Sequence, residues 1–316
     1  MNKLIIFSVL ATLATTARAQ ESQTAFNFLR LPESAHAAAL GGDNISIIED
    51  DATLALSNPA LLSSVGGRTV TVGYMNYMDG VGMYTANYTD IINDKATAGG
   101  AIHYVNYGKL IEVDENDVQS GTFSSSDIAF EGLLSYTLAK KLVGGIGAKF
   151  VYSKIGSYTS TAAAIDLGLN YYDPTNDFSA SFAVKNLGGQ LSAYNDDFES
   201  LPLDVLIGAS YHFRNSPLRV SLTFADLNHW DYALLRHACI GVDVMLTEQF
   251  YIAGGYNARR SYSMKTTNLT DGSKSAHGAG LSIGAGLLLD RFKLNLSYGK
   301  YHVNSSSLMI NAAVEL

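Results

Sequence analysis

Polar and apolar positions alternate along most of this chain, and the C-terminal stretch Gly278–Leu316 shows it plainly. Ala279, Leu281, Ile283, Ala285, Leu287 and Leu289 form one apolar row. After Asp290-Arg291 a second row, Phe292, Leu294, Leu296 and Tyr298, alternates with Lys293, Asn295, Ser297 and Gly299. A third, Leu308, Ile310, Ala312, Val314 and Leu316, alternates with Ser307, Met309, Asn311, Ala313 and Glu315. A period of two puts successive side chains on opposite faces of a strand. Runs of about ten residues, with one greasy row and one row that carries charge, are what a transmembrane β-barrel needs. Strands of a soluble sandwich are usually nearer five or six residues.

The alternation continues back to Thr69. It predicts strands near 69–77, 80–90, 96–107, 127–139, 142–155, 160–172, 177–186, 203–213, 217–226, 236–246, 249–257, 278–289, 291–302 and 306–315. The expected fold is all-β, a transmembrane antiparallel β-barrel of about 14 strands, an even number as single-chain bacterial barrels require. Taken alternately, the connections fall into two sets. One holds only short segments: Ile91–Lys95, Lys140-Lys141, Asp173–Asn176, Arg214–Ser216, Thr247-Glu248 and Asp290. The other holds every long one: Gly108–Ser126, Leu187–Pro202, Leu227–Leu235 and Ala258–His277. Short periplasmic turns and long outer loops are the rule for such barrels.

The two rows of each strand can be assigned to faces. A base at the bilayer midplane costs roughly 2–4 kcal/mol and an acid less, so a row that carries charge faces the lumen. In Leu203–Phe213 this turns Asp204 inward. The same test turns Glu131, Lys149, Asp166, Lys185, Arg219, Asp243, Lys293 and Glu315 inward. It predicts lumenal ion pairs and hydrogen bonds between the wall and whatever fills it. Tyr152, Tyr171, Tyr211, Phe213 and Tyr298 lie near predicted strand ends, where aromatic girdles belong.

The first 68 residues do not alternate. Residues 1–19 read as a secretory signal peptide, with Lys3, the apolar Leu4–Ala14, and Ala17-Arg18-Ala19 as cleavage site. Residues 20–68 hold Ser34–Leu40, two helical turns with a Ser cap and Gly41-Gly42 behind them. Asp50-Asp51 and Asn58-Pro59-Ala60 follow. Asn-Pro is turn chemistry, and Pro suits the first position of a short helix. The block is too apolar for a free tail and too short for its own core. It is expected to plug the barrel formed by 69–316.

Composition agrees with an exported barrel. Charged residues are 16% of the chain, against about 25% in soluble domains. Tyr, at 19, outnumbers Phe, at 13. No apolar run after the leader is long enough for a membrane helix. The net charge of −8 disfavours nucleic acid as a partner. The single cysteine, Cys239, permits no internal disulfide and falls in a strand pattern, where it packs. The expected location is the bacterial outer membrane, reached by Sec-type export.

Motifs that carry chemistry are few. Gly280-Leu281-Ser282-Ile283-Gly284 matches the G-x-S-x-G pattern, but its Ser lies within an alternating strand rather than a strand-to-helix elbow. Glu112, Asp114, Glu115 and Asp117 lack the glycine and closing acid of a calcium loop. The seven histidines show no metal-ligand spacing. No enzyme, cofactor or metal is expected. The outer loops are richer: Tyr194, Asp196, Asp197 and Phe198 in one, Trp230 and Tyr232 in a second, Arg259 and Arg260 in a third. Tyr, Trp and Arg are the types enriched where proteins meet.

Phe26-Asn27-Phe28-Leu29-Arg30-Leu31-Pro32-Glu33-Ser34-Ala35-His36-Ala37-Ala38-Ala39-Leu40-Gly41-Gly42, with Asp50-Asp51 and Asn58-Pro59-Ala60-Leu61 after it, resembles the PorV/PorQ group of outer-membrane proteins. That group serves the type IX secretion system of Bacteroidetes and is related to the FadL channels. The opening block looks closer to the PorQ branch. Leu316 departs from the terminal Phe common in outer-membrane barrels. The resemblance implies a fourteen-stranded barrel with the N-terminal block as hatch. It also implies a surface-exposed PorZ-like partner and, through it, a PorU/PorV-like attachment complex. The shared Asn-Pro-Ala element leaves a second expectation, FadL-like transport of a hydrophobic small molecule. Transport would require a greasy pocket between plug and wall and a lateral gap at a kinked strand.

Overall fold

A computed structural model describes residues 24–78, 80–113, 118–230, 233–267, 274–301 and 305–316. The signal-peptide assignment, Tyr232, and Asp114, Glu115 and Asp117 lie outside the described residues.

Fourteen antiparallel strands close into one barrel. They are β1 (Thr69–Met78), β2 (Val81–Asn93), β3 (Ala96–Val113), β4 (Gln119–Ala139), β5 (Leu142–Ile155), β6 (Tyr158–Asp173), β7 (Phe178–Ser192), β8 (Asp204–His212), β9 (Leu218–Phe224), β10 (Ala238–Met245), β11 (Phe250–Asn257), β12 (Leu281–Leu288), β13 (Phe292–Gly299) and β14 (Ser307–Glu315). Each strand pairs with its neighbour in the chain, and β1 closes on β14 from Thr69↔Glu315 to Asn76↔Leu308. Closure removes every sheet edge, so no backbone donor or acceptor is left to face lipid. Among the described residues no helix is long and apolar enough to cross a membrane; the strands do so.

The outward rows are apolar. Val70, Val72 and Tyr74 of β1, Ile146 and Phe150 of β5, and Ile165, Leu167 and Leu169 of β6 are all exposed. Tyr74, Tyr84 and Tyr104 follow one another along one rim, tilted, with successive centroids 5.1 and 6.2 Å apart. Tyr136, Tyr171 and Tyr211 lie near the opposite rim. Two aromatic belts around an apolar band are the signature of a barrel in a bilayer. The short turns share an end with Thr69 and Glu315, which identifies that end as periplasmic.

Three strands outrun their sequence pattern. β3 and β4 continue as a ladder from Lys109↔Ser124 to Val113↔Gln119, beyond a break after Asn106. Much of the expected loop Gly108–Ser126 is therefore strand. Residues 109–113 are all exposed, so this hairpin has no buried face to write a period of two. β7 continues to Ser192 because Asn186, at φ 58°, makes a bulge that resets the register against β6. The alternation breaks at that residue, and the expected strand ends there.

Residues 24–68 fill the lumen. They form the short helix α1 (Ala35–Ala39) and 3₁₀ turns at Asn27–Arg30, Ala52–Leu56 and Pro59–Ser64. The Ser34 side chain caps α1 by accepting from Ala37 N. Gly41 and Gly42 stop it at φ 105° and 103°, a region open to glycine at little cost. Phe26, Phe28, Leu29, Ala35 and Ala38 pack on Met75, Met83, Val105 and Met309 of the wall in one apolar layer. Leu40, Ile47, Leu54 and Leu61 pack around Tyr251 and Ala253 in another.

Candidate functional site

The contact between plug and wall is the most constrained part of the molecule. At its centre is Asn58-Pro59-Ala60. Asn58 Oδ1 accepts from Ala60 N at 3.1 Å, and Asn58 Nδ2 donates to Ile45 O at 3.0 Å. Pro59 then begins its 3₁₀ turn where its missing N–H costs nothing. This turn lies directly on wall glycines. A Cβ on Gly145 of β5 would stand 2.2 Å from Ala60 N, and one on Gly168 of β6 would stand 2.0 Å from Asn58 Oδ1. Gly255 of β11 meets the backbone of Leu40 and Gly41 in the same way. The glycines are seats cut into the wall for the plug backbone.

Wall side chains satisfy plug backbone groups that have no partner of their own. Asn311 Oδ1 accepts from Ala35 N at 2.5 Å, Ser282 Oγ donates to Ala39 O at 2.8 Å, and Ser210 Oγ donates to Ser46 O at 2.8 Å. Asn257 Nδ2 donates to Gly41 O at 3.1 Å, and the Cys239 thiol donates to Leu40 O at 3.3 Å. Buried polar groups require such partners.

Two buried charge networks add to this. In the first, His36 of the plug lies between Glu49 at 2.6 Å and Asp243 of β10 at 2.8 Å. Arg219 of β9 donates to Asp243 at 2.8 Å and faces Glu49 at 3.7 Å. Tyr251 stacks on the imidazole at 4.2 Å. Two acids and one guanidinium make a protonated His36 the neutral solution. Burial opposes that charge, but the Glu49 and Asp243 carboxylates outweigh it and raise the His36 pKa to about 10. In the second, Lys149 of β5 is 2.6 Å from Asp166 and 3.8 Å from Glu131, and it donates to Asn186 Oδ1 at 3.3 Å. His103 of β3 stands between Glu131 and Glu33 of the plug.

The structure places the inward-assigned residues as follows. Glu131, Lys149, Asp166, Arg219, Asp243 and Lys293 are buried inside the barrel. Lys293 meets Asp50 of the plug at 2.5 Å. Lys185 stands opposite Asp204 on the β7–β8 ladder, and both line a small cavity with Arg30 and Asp43. Asp204 also accepts from Asp226 N at 2.6 Å. The plug members of these networks, Glu33, His36 and Glu49, carry no local signal, because their partners lie far away in sequence. The expectation that the histidines hold no ligand set rested on local spacing and did not reach the grouping of His103 with Glu33 and Glu131.

The outer-loop residues divide. Asp196, Asp197, Phe198 and Trp230 are exposed. Tyr194 instead turns inward, donating its hydroxyl to Ser153 Oγ at 2.5 Å and lying against Phe26. Arg259 pairs with Asp226 at 3.0 Å. Arg260 donates to Gly41 O at 3.2 Å and covers the Tyr301 ring at 3.9 Å. Tyr194, Arg259 and Arg260 therefore hold the outer mouth together rather than project from it. An outer loop rich in aromatics and bases reads the same in sequence whether it folds outward or back. The mouth encloses a cavity of about 270 Å³ lined by Arg30, Asp43, Tyr77, Arg259, Arg260 and Tyr301.

No protein-family model matches the chain, and no curated protein matches it. Solved structures do. The Pseudomonas putida toluene transporter TodX aligns at TM-score 0.57 and 16% identity, over 90% of this chain and 97% of that one. A Pseudomonas aeruginosa FadL homologue aligns at 0.55 and 11%, over 90% and 98%. The CymD monoaromatic hydrocarbon channel aligns at 0.55 and 11%, over 92% and 97%. With identities this low the likeness is one of fold alone, the closed antiparallel β-barrel architecture of these outer-membrane channels.

Proposed function

We propose that the protein is an outer-membrane platform, a plugged barrel whose outer rim holds a surface protein. The observation that carries this reading is the outer loop after β9. Trp230, Leu234 and Leu235, in the outer connection between β9 and β10, are 77%, 56% and 78% exposed. Apolar side chains held in water gain roughly 25 cal/mol for each Å² that a partner covers. Phe198 adds to the same rim at 66% exposure. The resemblance of the opening block to the PorV/PorQ group names the kind of partner, a PorZ-like surface protein within a PorU/PorV-like attachment complex. The fixed plug suits a platform, since any opening of the lumen has to break buried ion pairs.

Transport of a hydrophobic small molecule is the second reading, and it is the one the structural neighbours support. Those neighbours are a toluene transporter and a monoaromatic hydrocarbon channel. In this chain it is favoured by the apolar layer between plug and wall, where Met75, Met83 and Met309 face Phe26 and Phe28. Methionine re-packs readily around apolar guests. The bulge at Asn186 lies beside the small cavity between plug and wall.

One experiment separates them. Native protein is captured from outer membranes in mild detergent, and protein and lipid in the eluate are identified by mass spectrometry. A stoichiometric surface protein that is lost from a Trp230→Ala, Leu235→Ser variant supports the platform. A lone barrel carrying an apolar small molecule overturns it in favour of transport.

A further inference from the structure

Glu33, His103 and Glu131 come together from three elements, the plug, β3 and β4, and one donor atom from each lies within 4.8 Å of the others. All three residues are buried, at 6%, 1% and 4% exposure. Their contacts are poor. His103 Nδ1 is 3.3 Å from Glu33 Oε1, and His103 Nε2 is 3.5 Å from Glu131 Oε2. Neither ring nitrogen makes a hydrogen bond, nor does Glu33 Oε2, Glu131 Oε1 or Glu131 Oε2. Five polar atoms without a hydrogen bond lie around one buried imidazole, Glu33 on its Nδ1 side and Glu131 on its Nε2 side, and each such orphan costs about 1–3 kcal/mol.

Charge points the same way. Glu33, Glu131 and Asp166 contribute three negative charges, and Lys149 returns one, bound to Asp166 at 2.6 Å. With His103 neutral the cluster is left at −2. A proton on His103 removes half of this formal charge, between the Glu33 and Glu131 carboxylates at 3.3 and 3.5 Å. We propose that the cluster binds one divalent transition-metal ion, Zn²⁺ in the first instance, through one carboxylate oxygen each of Glu33 and Glu131 and one ring nitrogen of neutral His103. Imidazole and carboxylate together suit such ions, and water completes a tetrahedral set. Bonds of about 2.0–2.2 Å put ligand atoms about 3.4 Å apart, a closing that side-chain rotation supplies. Lys149, beside Glu131, holds that carboxylate from outside. Since Glu33 belongs to the plug and the other two to the wall, the ion bolts one to the other in mid-barrel. The inference is independent of what the outer rim or the lumen does.

The test uses full-length barrel without a histidine tag, purified in detergent, stripped with dipicolinate and dialysed against micromolar Zn²⁺. Metal content is read by mass spectrometry. Wild type is expected to hold one equivalent, and His103→Asn and Glu33→Gln less than a tenth of one. Glu33→Gln leaves every wall residue intact, so it reports on the site even where His103→Asn fails to give the compact, heat-modifiable barrel. X-ray absorption on the wild-type protein should show an all-oxygen and nitrogen shell with imidazole scattering. No uptake by wild type, equal uptake by wild type and Glu33→Gln (an adventitious ion only), or a shell without imidazole each overturns the proposal.

Discussion

The fit of the Asn58-Pro59-Ala60 turn on Gly145 gives the sharpest test of the plug as a fixed element. A Cβ at Gly145 would lie 2.2 Å from Ala60 N, 2.3 Å from Pro59 C and 2.7 Å from Pro59 O. Carbon contacts are comfortable only near about 3.5–4.0 Å, so the turn must retreat by roughly 1 Å. All three atoms are backbone, which no rotamer change can move aside. The turn itself is pinned by the two Asn58 hydrogen bonds, and Leu61 and Leu62 behind it are 1% and 0% exposed. Overpacking of this kind costs about 1–3 kcal/mol, occasionally more. Gly132 of β4 is the control, because a Cβ there meets nothing within 4 Å. Gly132→Ala should be neutral or stabilising by up to about 1 kcal/mol, since it restricts only the unfolded chain. The two substitutions thus differ in sign. Denaturant unfolding in detergent, followed by tyrosine fluorescence, reads the difference, and limited proteolysis of residues 24–68 reads release of the plug. For Gly145→Ala, about 1.4 kcal/mol would raise the released fraction tenfold. If Gly145→Ala is as stable and as protease-resistant as Gly132→Ala, the plug is not seated on the wall as described.

Three further predictions concern the anchors. Asn58→Ala removes the cap and the bond to Ile45 O, and should cost about 1–2 kcal/mol by the same unfolding assay. Lys149→Ala strips the ammonium from between two buried carboxylates and should cost about 3–5 kcal/mol, whereas Lys140→Ala, on an exposed turn, should be within about 0.5 kcal/mol of wild type in urea titrations. The His36 cluster makes plug anchoring depend on pH. Its folded pKa is raised to about 10 from an unfolded value near 6.5, so its contribution is complete below pH 6.5 and is lost as pH rises through about 10. Protease sensitivity of the plug should therefore increase between pH 8 and 10.5, and His36→Gln should flatten that limb; an unchanged profile in the variant would reject the linkage.

How far each feature was legible in the sequence follows from the distance over which its signal is written. The barrel is legible because a strand declares both faces within its own residues. Ile207 and Asp204 need no partner to show which of them meets lipid. The β3–β4 extension is not legible, because water on both sides of residues 109–113 demands no alternation. Asn186 illustrates a third case: a bulge hides as a mere end of pattern, and only the register of β6 against β7 shows that the strand resumes. The inward charges were legible one at a time, as residues that lipid would reject. Their partners were not.

That asymmetry has a physical reading. Lipid acts on each wall residue independently, so selection against a misplaced charge leaves a local mark. The lumen acts on pairs. Lys149 is tolerable inside only because Asp166, on the next strand, is 2.6 Å away, and His36 only because Glu49 and Asp243 flank it. A porin-like lumen filled with water would have screened these charges and required no such matching. In this barrel the plug excludes most of that water, so each buried charge has to be answered by a specific residue of plug or wall. The plug is thus part of what makes the wall's interior charges affordable. Removing residues 24–68 should leave Lys293 without Asp50, strip His36 and Glu49 from the Arg219–Asp243 pair and take Glu33 from His103, and the penalty would fall on the wall itself.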